Sequence, residues 1–520
     1  PPGFTMTAGE DSGSGGSALG QGSESLDELI ASSAVEGDFQ ASIAILPLEN
    51  RTGDTVFDTL GRGMTDELIA RLLRIRGLKV ISRQSVQELE GLNLSTAEVA
   101  DTLDVDHLLL GTAFPYEDAA RIQVRLVQVN GETELWRNDY SVDRANRMRA
   151  VEEIYEEVSQ ALVEEVPTLS VRNTPRTTES HGYAAYLAGS RLLNTRTRDG
   201  IIRAIDAFKS SIALDSTFAL PFAGLSSAYA LSVTYRYSIG VDAYAASALA
   251  LLAAAEAVER DPELADAYAA RGYISSVALA PAEAVYEDFQ QAMDLQPNAP
   301  NVPAWYANLL IREGYYDQAL DQAQRAVELD PLSPARRTGL AYEALRARDY
   351  DLAIDQARTA QALEAEVMLP RQIRALALVL SDQAEACLDL DLGPHAGIRA
   401  ICLHELGRTE EAESIADSLR LFLRSDSQVD PEFTKVIPAG DLAAYLSWTG
   451  DPQRALPWIR RAYALSPSGI DTRVLESGIF DRLLEDSELR REVAEIRNGV
   501  WERVQLELAD AEIRLFERSR

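Results

Sequence analysis

Two pairs of polar residues in the second half of the chain recur with one fixed spacing. Asn308 and Tyr342 lie 34 residues apart, and so do Arg312 and Arg346. In stacked helical repeats, equivalent positions of neighbouring repeats line the same surface. A guanidinium binds carboxylates through charge-assisted hydrogen bonds. The four residues therefore predict a partner-binding stripe that could receive a carboxylate or an acidic peptide, and we expect both arginines to be exposed.

The same arginines have a second interpretation, in which they take no part in binding. Arg312 stands near the solvated end of a predicted helix, just before a turn at Gly314, and Arg346 occupies the equivalent position. A cation at this end of a helix interacts favourably with the helix dipole. We favour this second interpretation, but the spacing leaves both open, and the identity of a ligand stays open as well.

The sequence contains no arrangement of residues that predicts catalysis. It has no Gly-Lys-Ser/Thr phosphate loop, no His-Glu-x-x-His helix, and neither the His-Arg-Asp nor the Asp-Phe-Gly signature of protein kinases. We therefore expect no catalytic residue, no cofactor and no enzyme activity in this chain.

The few histidines and cysteines do not predict a metal site. His107 lies beside Asp104 and Asp106 without a third ligand nearby, so a strand edge with solvated acids is the simpler interpretation. Cys387 and Cys402 are 15 residues apart on separate predicted helices, and we interpret both as buried thiols. We expect no bound metal.

A period of about 34 residues organises the second half of the chain. The dipeptides Asp261-Pro262, Gln296-Pro297 and Asp330-Pro331 are spaced by 35 and 34 residues. Alanines recur at fixed offsets before them, where small side chains let antiparallel helices approach, and proline ends the second helix. The period predicts a tetratricopeptide α-solenoid over residues 180–470, with six repeats and one degenerate repeat, followed by capping helices in residues 471–520.

The residues before the repeats alternate between strand and helix patterns. Strands are predicted at 42–48 and 78–82, with an amphipathic helix at 59–75 between them, which implies a parallel crossover. Ser95 and Glu98 form a predicted capping box for a second helix. Further strands and a closing helix are predicted at 107–112, 121–129, 134–142 and 147–166.

Five motifs in this region, in the same order along the chain, resemble the TolB amino-terminal-like domain of bacterial signalling proteins. In that family the domain stands between an upstream effector module and downstream tetratricopeptide repeats, so the resemblance implies the same order here, with the domain at residues 41–167. The motifs are Ile43-Ala44-Ile45-Leu46-Pro47-Leu48-Glu49-Asn50, Gly63-Met64-Thr65-Asp66-Glu67-Leu68, Val80-Ile81-Ser82-Arg83-Gln84-Ser85, Leu110-Gly111-Thr112 and Trp136.

The amino-acid composition excludes some classes of binding partner. Residues 1–40 are rich in glycine, serine and acidic residues, which predicts a disordered acidic linker. Acidic residues outnumber basic ones 82 to 49, and a net charge of −33 repels nucleic acids, so we expect no nucleic-acid partner. No stretch reaches the roughly 18 apolar residues of a membrane span, so we expect no direct membrane insertion of this chain.

These patterns predict a multidomain α/β plus all-α protein, with a small α/β domain followed by a tetratricopeptide-repeat α-solenoid. Its expected function is that of a non-catalytic scaffold or sensory region of a bacterial signalling protein, which binds a protein or peptide partner in the repeat groove. Homo-oligomerisation stays open. The resemblance leaves two alternatives: the extracytoplasmic part of a serine/threonine kinase or adenylate cyclase with its catalytic domain upstream, and the sensory part of a winged-helix transcriptional regulator.

The distribution of basic residues along the chain also predicts the cellular location of the protein. The chain starts at Pro1, and no lysine or arginine precedes Arg51. Positively charged flanks stay in the cytoplasm, so an acidic segment without basic residues is the kind that can be exported. With the domain order of the resembling family, this predicts a periplasmic location, tethered by an upstream transmembrane helix outside this chain. A cytoplasmic location is the alternative.

Overall fold

The fold is given by a computed structural model of the chain. The structure describes residues 30, 39–54, 56–89, 91–92, 94–116, 119–131, 133–142, 146–170, 182–365, 368–393, 395–424, 433–468 and 477–517. The chain divides into two units, Pro1–Gly37 and Asp38–Arg520, and the second unit holds the α/β domain and the repeats. Most of the linker expected at residues 1–40 lies outside the described residues.

The α/β domain is built on one mixed sheet. The strands are β1 (Ala41–Ile45), β2 (Glu49–Asn50), β3 (Leu78–Val80), β4 (His107–Tyr116), β5 (Ala119–Gln128) and β6 (Thr133–Val142). Their order is β3-β1-β4-β5-β6, with β2 beside β4. β1 runs parallel to both β3 and β4, while β5 and β6 are antiparallel to their neighbours. The predicted parallel crossover is confirmed.

Helices cover both faces of this sheet. They are α1 (Val56–Leu72), α2 (Arg83–Gln87), α3 (Thr96–Leu103) and α4 (Arg147–Glu165). Because side chains alternate along a strand, Ile43 of β1 packs with α1 and α4, whereas Ala44 packs with α2 and α3. The predicted capping box of α3 is confirmed: Ser95 Oγ accepts from Glu98 N, and the Glu98 carboxylate accepts from Ser95 N at 2.8 Å.

The rest of the second unit is helical. Eight antiparallel helix pairs follow one another: α5/α6 (Tyr183–Asn194, Arg198–Leu214), α7/α8 (Leu220–Thr234, Ala243–Arg260), α9/α10 (Ala265–Val277, Ala282–Leu295), α11/α12 (Asn301–Arg312, Tyr316–Leu329), α13/α14 (Pro334–Arg346, Tyr350–Leu363), α15/α16 (Leu369–Leu380, Ala384–Leu388), α17/α18 (Ala396–Glu405, Thr409–Arg424) and α19/α20 (Phe433–Trp448, Pro452–Leu465). Together with the sheet, they confirm the predicted fold class.

The described residues contain one helix pair more than the six repeats and one degenerate repeat expected from the sequence. The additional pair is α17/α18. It follows α16, which has only five residues, and there the regular period of the sequence is interrupted. None of the described helices has both the length and the apolar character needed to cross a membrane.

The C-terminal helices return to the beginning of the solenoid. α21 (Asp481–Glu485) and the long α22 (Ser487–Glu517) follow the last pair. Arg503 of α22 donates to the carbonyl of Ala464 in α20 at 2.7 Å, and its guanidinium lies 3.9 Å from the ring centre of Tyr244 in α8. The Tyr244 hydroxyl also donates to the Tyr463 carbonyl of α20. α22 therefore covers the last pair and also joins it to the second pair.

The turn after α12 docks on the α/β domain. Asp330 Oδ1 accepts hydrogen bonds from the hydroxyls of Ser82 and Ser85, the latter at 2.6 Å. The amide of Leu332 donates to Ser85 Oγ at 2.9 Å, and the amide of Ser82 donates to the Leu329 carbonyl at 3.0 Å. The Leu332 side chain packs against the core beneath α2 and α3. A turn between repeats is thus part of the domain interface.

The turn after α10 makes a second contact with the same domain. The Asn298 side-chain amide donates to the Ile75 carbonyl at 2.6 Å, and Arg76 pairs with Asp294 at 2.9 Å. Asn298 is fully buried, and the hydrogen bond to the backbone offsets the loss of water at its side-chain nitrogen. Two successive turns of the solenoid therefore hold the α/β domain.

We expect Asp330→Ala to lower the free energy of unfolding by about 3 kcal/mol, because it leaves buried polar partners without their acceptor. Urea denaturation followed by circular dichroism measures this loss. Asp261→Ala is the matched control, since Asp261 precedes the equivalent proline two pairs earlier and accepts a local bond from the Glu263 amide. Equal losses in the two variants would show that docking is not the cause.

We expect Gly272→Val to destabilise the protein by about 1–3 kcal/mol through overpacking. A Cβ atom at Gly272 would lie 3.2 Å from both Asp288 and Phe289 on the partner helix. Gly339→Val is the control and should change stability by less than about 0.5 kcal/mol, because a Cβ there meets nothing within 4 Å. The urea denaturation midpoints of the two variants measure the difference in stability. A loss of stability in Gly339→Val as large as that in Gly272→Val would contradict the crowding argument.

Candidate binding cavity on the inner surface

The structure brings all four residues of the predicted stripe to one cavity. Asn308 and Arg312 lie on α11, and Tyr342 and Arg346 lie on α13, the first helices of successive pairs. They line a cavity of about 110 Å³, which we call the inner cavity. The repeat spacing thus identified residues that are neighbours in space.

The expectation that both arginines are exposed is wrong. The side chain of Arg346 is 1% exposed and pairs with Glu343 at 3.1 Å, while that of Arg312 is 8% exposed and pairs with Glu313 at 2.6 Å. Ser468, which follows α20, also lines this cavity. Neighbouring repeats and Ser468 therefore enclose the two arginines, and no local pattern in the sequence predicts this.

Arg312 contacts the end of the neighbouring repeat. Its guanidinium donates to the carbonyls of Ser276 and Ala280, at 3.2 and 3.1 Å, at the C-terminal end of α9. The second interpretation placed Arg312 at the solvated end of its own helix, whereas the guanidinium is buried against the end of a different helix. Its charge interacts favourably with the C-terminal end of that helix, α9. Asn308 Oδ1 accepts from the Ser276 hydroxyl at 3.0 Å, so the two predicted residues of α11 meet at the same helix end.

Two arginines that the sequence analysis did not single out also line the inner cavity. Arg336 donates to Asn301, and its Nε lies 3.9 Å from Asp330 Oδ2. Burial lowers the pKa of the Arg336 guanidinium to about 10, Asp330 opposes the shift, and the nearby Arg196 adds to it. Among the described residues, neither Arg336 Nε nor Arg196 Nη1 has a hydrogen-bond acceptor. Arg196 Nη1 is therefore a donor without a partner among the described residues, whereas Arg336 Nε faces the more distant carboxylate of Asp330.

A larger cavity of about 830 Å³ adjoins the inner cavity and shares Arg196, Tyr235 and Thr338 with it. One side is formed by the solenoid and the other by α2 of the α/β domain. The charged residues of the two cavities, apart from histidine, are seven arginines and three glutamates: Arg83, Arg191, Arg196, Arg236, Arg312, Arg336, Arg346, Glu88, Glu343 and Glu364. Four of these arginines are already paired with carboxylates: Arg83 with Asp66, Arg312 with Glu313, Arg336 with Asp330 and Arg346 with Glu343. Among the residues that line the cavities, arginine still outnumbers glutamate.

His107 has a structural role that differs from the expected strand edge. β4 lies between β1 and β5, and His107 is buried there. Its Nδ1 lies 2.9 Å from the Ser42 carbonyl, and its Nε2 lies 2.8 Å from Glu165 Oε2. Among the described residues, no three His, Cys, Asp or Glu side chains are grouped so that they could hold a metal ion.

The interpretation of Cys387 and Cys402 as thiols is wrong, although both residues are buried. They form a disulfide between α16 and α17, and their Cα atoms are 6.2 Å apart, a usual distance for this bond. The two cysteines are 15 positions apart, and the bond closes the loop that joins the end of the short helix α16 to α17. Local sequence could not show the pairing, because the approach of the two helices depends on the fold.

We expect the double variant Cys387→Ala/Cys402→Ala to lose about 3 kcal/mol of stability, the chain-entropy value for a loop of this length. Thermal unfolding with and without dithiothreitol measures the effect. The reductant should lower the transition temperature of the wild type and leave the double variant unchanged. A wild type that does not respond to reduction, although its thiols become titratable, would show that the bond adds no stability.

Comparison with known proteins finds similarity in both parts of the chain. Residues 39–157 match a family model described as the second domain of HilA/YgeH-like transcriptional regulators. A Rhizobium meliloti (strain 1021) protein with the provisional name adenylate cyclase 3 is 28% identical over 125 residues, which is 24% of this chain and 20% of that protein. The match thus spans about a fifth of the relative's length.

Two solved structures illustrate the similarity of the repeats. PilF of Pseudomonas aeruginosa is 18% identical and covers 34% of this chain and 86% of its own, with a TM-score of 0.29. YrrB, described as a TPR protein with an unusual peptide-binding site, is 16% identical and covers 41% of this chain and 99% of its own, with a TM-score of 0.26. The resemblance to the TolB family stays a prediction. The α/β domain is similar to the second domain of HilA/YgeH-like transcriptional regulators, and the helical part is a tetratricopeptide-type solenoid.

Proposed function

We propose that the chain is a non-catalytic interaction module of a bacterial signalling protein and that it binds an acidic segment of a partner protein in the two basic cavities. Helical-repeat solenoids use extended inner surfaces for binding. The matched names, a transcriptional regulator and an adenylate cyclase, support a role in signalling.

The observation that carries the proposal is the excess of arginine over glutamate in the cavities. Arginine is suited to carboxylates because its planar group donates two parallel hydrogen bonds. Arg312, Arg336 and Arg346 already have carboxylate partners, whereas Arg196 Nη1 has no hydrogen-bond acceptor among the described residues. A carboxylate of a partner would supply this acceptor, and the volume of the larger cavity is enough for several side chains.

The chain could belong to either of two kinds of larger protein. In the first, the chain is the extracytoplasmic part of a kinase or adenylate cyclase, and the cyclase relative supports it. In the second, it is the sensory part of a winged-helix regulator, and the matched regulator domain supports that alternative. In both, this chain receives a partner, and another domain performs the output.

We place the chain outside the cytoplasm. The buried Cys387–Cys402 bond supports this location, because disulfides persist in oxidising compartments and are rare in the bacterial cytosol. An alkaline phosphatase fusion in a bacterial host, with an upstream transmembrane helix present, should be active only if the chain is exported. Activity of a cytoplasmic reporter alone would favour the cytoplasmic alternative.

We expect a fluorescein-labelled octaglutamate peptide to bind with a micromolar Kd, which weakens as salt is added. The double variant Arg191→Glu/Arg196→Glu should weaken this binding at least tenfold, because it reverses two charges of the larger cavity. Fluorescence anisotropy measures both effects, with octalysine as the probe of opposite charge.

The control is Arg203→Glu, an exposed arginine of α6 that lines neither cavity. It should leave octaglutamate binding unchanged if the cavities are the site. Equal weakening by the control would mean that only the overall charge matters. No binding of octaglutamate by the wild type at low salt would overturn the proposal.

A further inference from the structure

A third cavity lies between the α/β domain and the first repeats. Its volume is about 470 Å³, which is typical of a small-molecule site, and domain interfaces are common places for such sites. One wall comes from α1 and α4 of the α/β domain. The other wall comes from α5 and from the starts of α7, α9 and α11. We call it the interdomain cleft.

The charge of this cleft is opposite to that of the two basic cavities. Five carboxylates and three guanidinium groups line it: Asp66, Glu67, Glu152, Glu156, Asp266, Arg71, Arg74 and Arg83. Arg71 pairs with both Glu67 and Glu152. When its acids are ionised, the cleft therefore carries two more negative charges than positive ones.

Asp66 has an oxygen atom with no partner. Its side chain is 10% exposed, and one oxygen, Oδ2, pairs with Arg83. The other oxygen, Oδ1, is buried and has no hydrogen-bond donor among the described residues. Burial raises the pKa of Asp66 to about 6, and the nearby Arg83 and Arg191 oppose the shift. A buried acceptor without a donor is costly, and a bound donor would remove that cost.

Aromatic rings complete the lining. Tyr155, Tyr183 and Tyr186 all face the cleft. The ring centres of Tyr183 and Tyr186 are 6.1 Å apart, and the Arg71 guanidinium lies 5.9 Å from the centre of the Tyr155 ring. The faces of such rings attract cations, and their carbon atoms pack against apolar groups. A ligand that suits this lining has a positive head and an apolar body.

We propose that the interdomain cleft binds a small organic cation, a primary amine with an apolar body, whose ammonium group donates to Asp66 Oδ1. The cleft shares Arg83 and Ser190 with the larger basic cavity, but its other lining residues differ. The proposal does not depend on an acidic peptide as the partner of the basic cavities. Because residues of both domains line the cleft, the ligand contacts the α/β domain and the solenoid at once.

The test is isothermal titration calorimetry of the full chain at pH 7.5 with butylamine, cyclohexylamine and phenethylamine. At least one amine should bind saturably with a submillimolar Kd. Phenylacetate, which has the aromatic body and the opposite charge, should bind at least tenfold more weakly than phenethylamine. If none of the amines binds saturably, or if phenylacetate binds as well as phenethylamine, the proposal is wrong.

Variants connect the binding to the cleft. Asp66→Asn should weaken amine binding at least tenfold. Because this change could also disturb the pair with Arg83, a second variant on the exposed Glu156, Glu156→Gln, should weaken binding about threefold without affecting the fold. Glu164→Gln is the matched control, since Glu164 is exposed on the same helix α4 and does not line the cleft. The assignment would be wrong if Asp66→Asn folds and both it and Glu156→Gln bind the amine as well as the wild type. It would also be wrong if Glu164→Gln weakened binding as much as these two variants.

Discussion

The buried carboxylate of Asp330 connects the two domains and the inner cavity. One oxygen accepts hydrogen bonds from Ser82 and Ser85 of the α/β domain, and the other lies 3.9 Å from Nε of Arg336, which lines that cavity. A buried charge is tolerated only when hydrogen bonds and an opposite charge compensate its lost hydration. The serines and the arginine provide this compensation from opposite sides. Docking of the α/β domain and burial of a cavity arginine therefore depend on the same group.

This arrangement explains how an acidic chain can contain a basic interior. Most carboxylates of the described residues are at least partly exposed, and water and salt screen them there. The arginines of the cavities come from parts of the chain as distant as Arg83 and Arg346, and only the docked domain and the curved solenoid bring them together. At long range the net charge of −33 repels an anion, so recognition must rely on short-range contacts with guanidinium groups. Such a surface selects by geometry more than by overall charge.

The sequence predicted the features that depend on local patterns. The parallel crossover, the capping box at Ser95 and the helical period all follow from spacing within one or two elements. The burial of Arg312 and Arg346 could not be predicted in the same way, because it depends on contacts between different repeats and on Ser468, which lines the inner cavity from more than a hundred positions away. The α17/α18 pair was missed because it follows a short helix, where the period is broken. The repeat spacing in the sequence shows which residues lie on the same face of the helices. Packing between distant parts of the chain decides whether that face is exposed to solvent.

The larger basic cavity and the interdomain cleft have one wall in common, and Arg83 belongs to this wall. Arg83 lines both spaces and pairs with Asp66 on the cleft side. An anion in the cavity and a cation in the cleft would compete with this pair from opposite sides, each for one of its members. Coupling between two sites is reciprocal, so any effect of one ligand on the affinity of the other must be matched in the reverse direction. The Arg83–Asp66 pair lies within the α/β domain, and it is the contact through which ligands in the two spaces would affect each other.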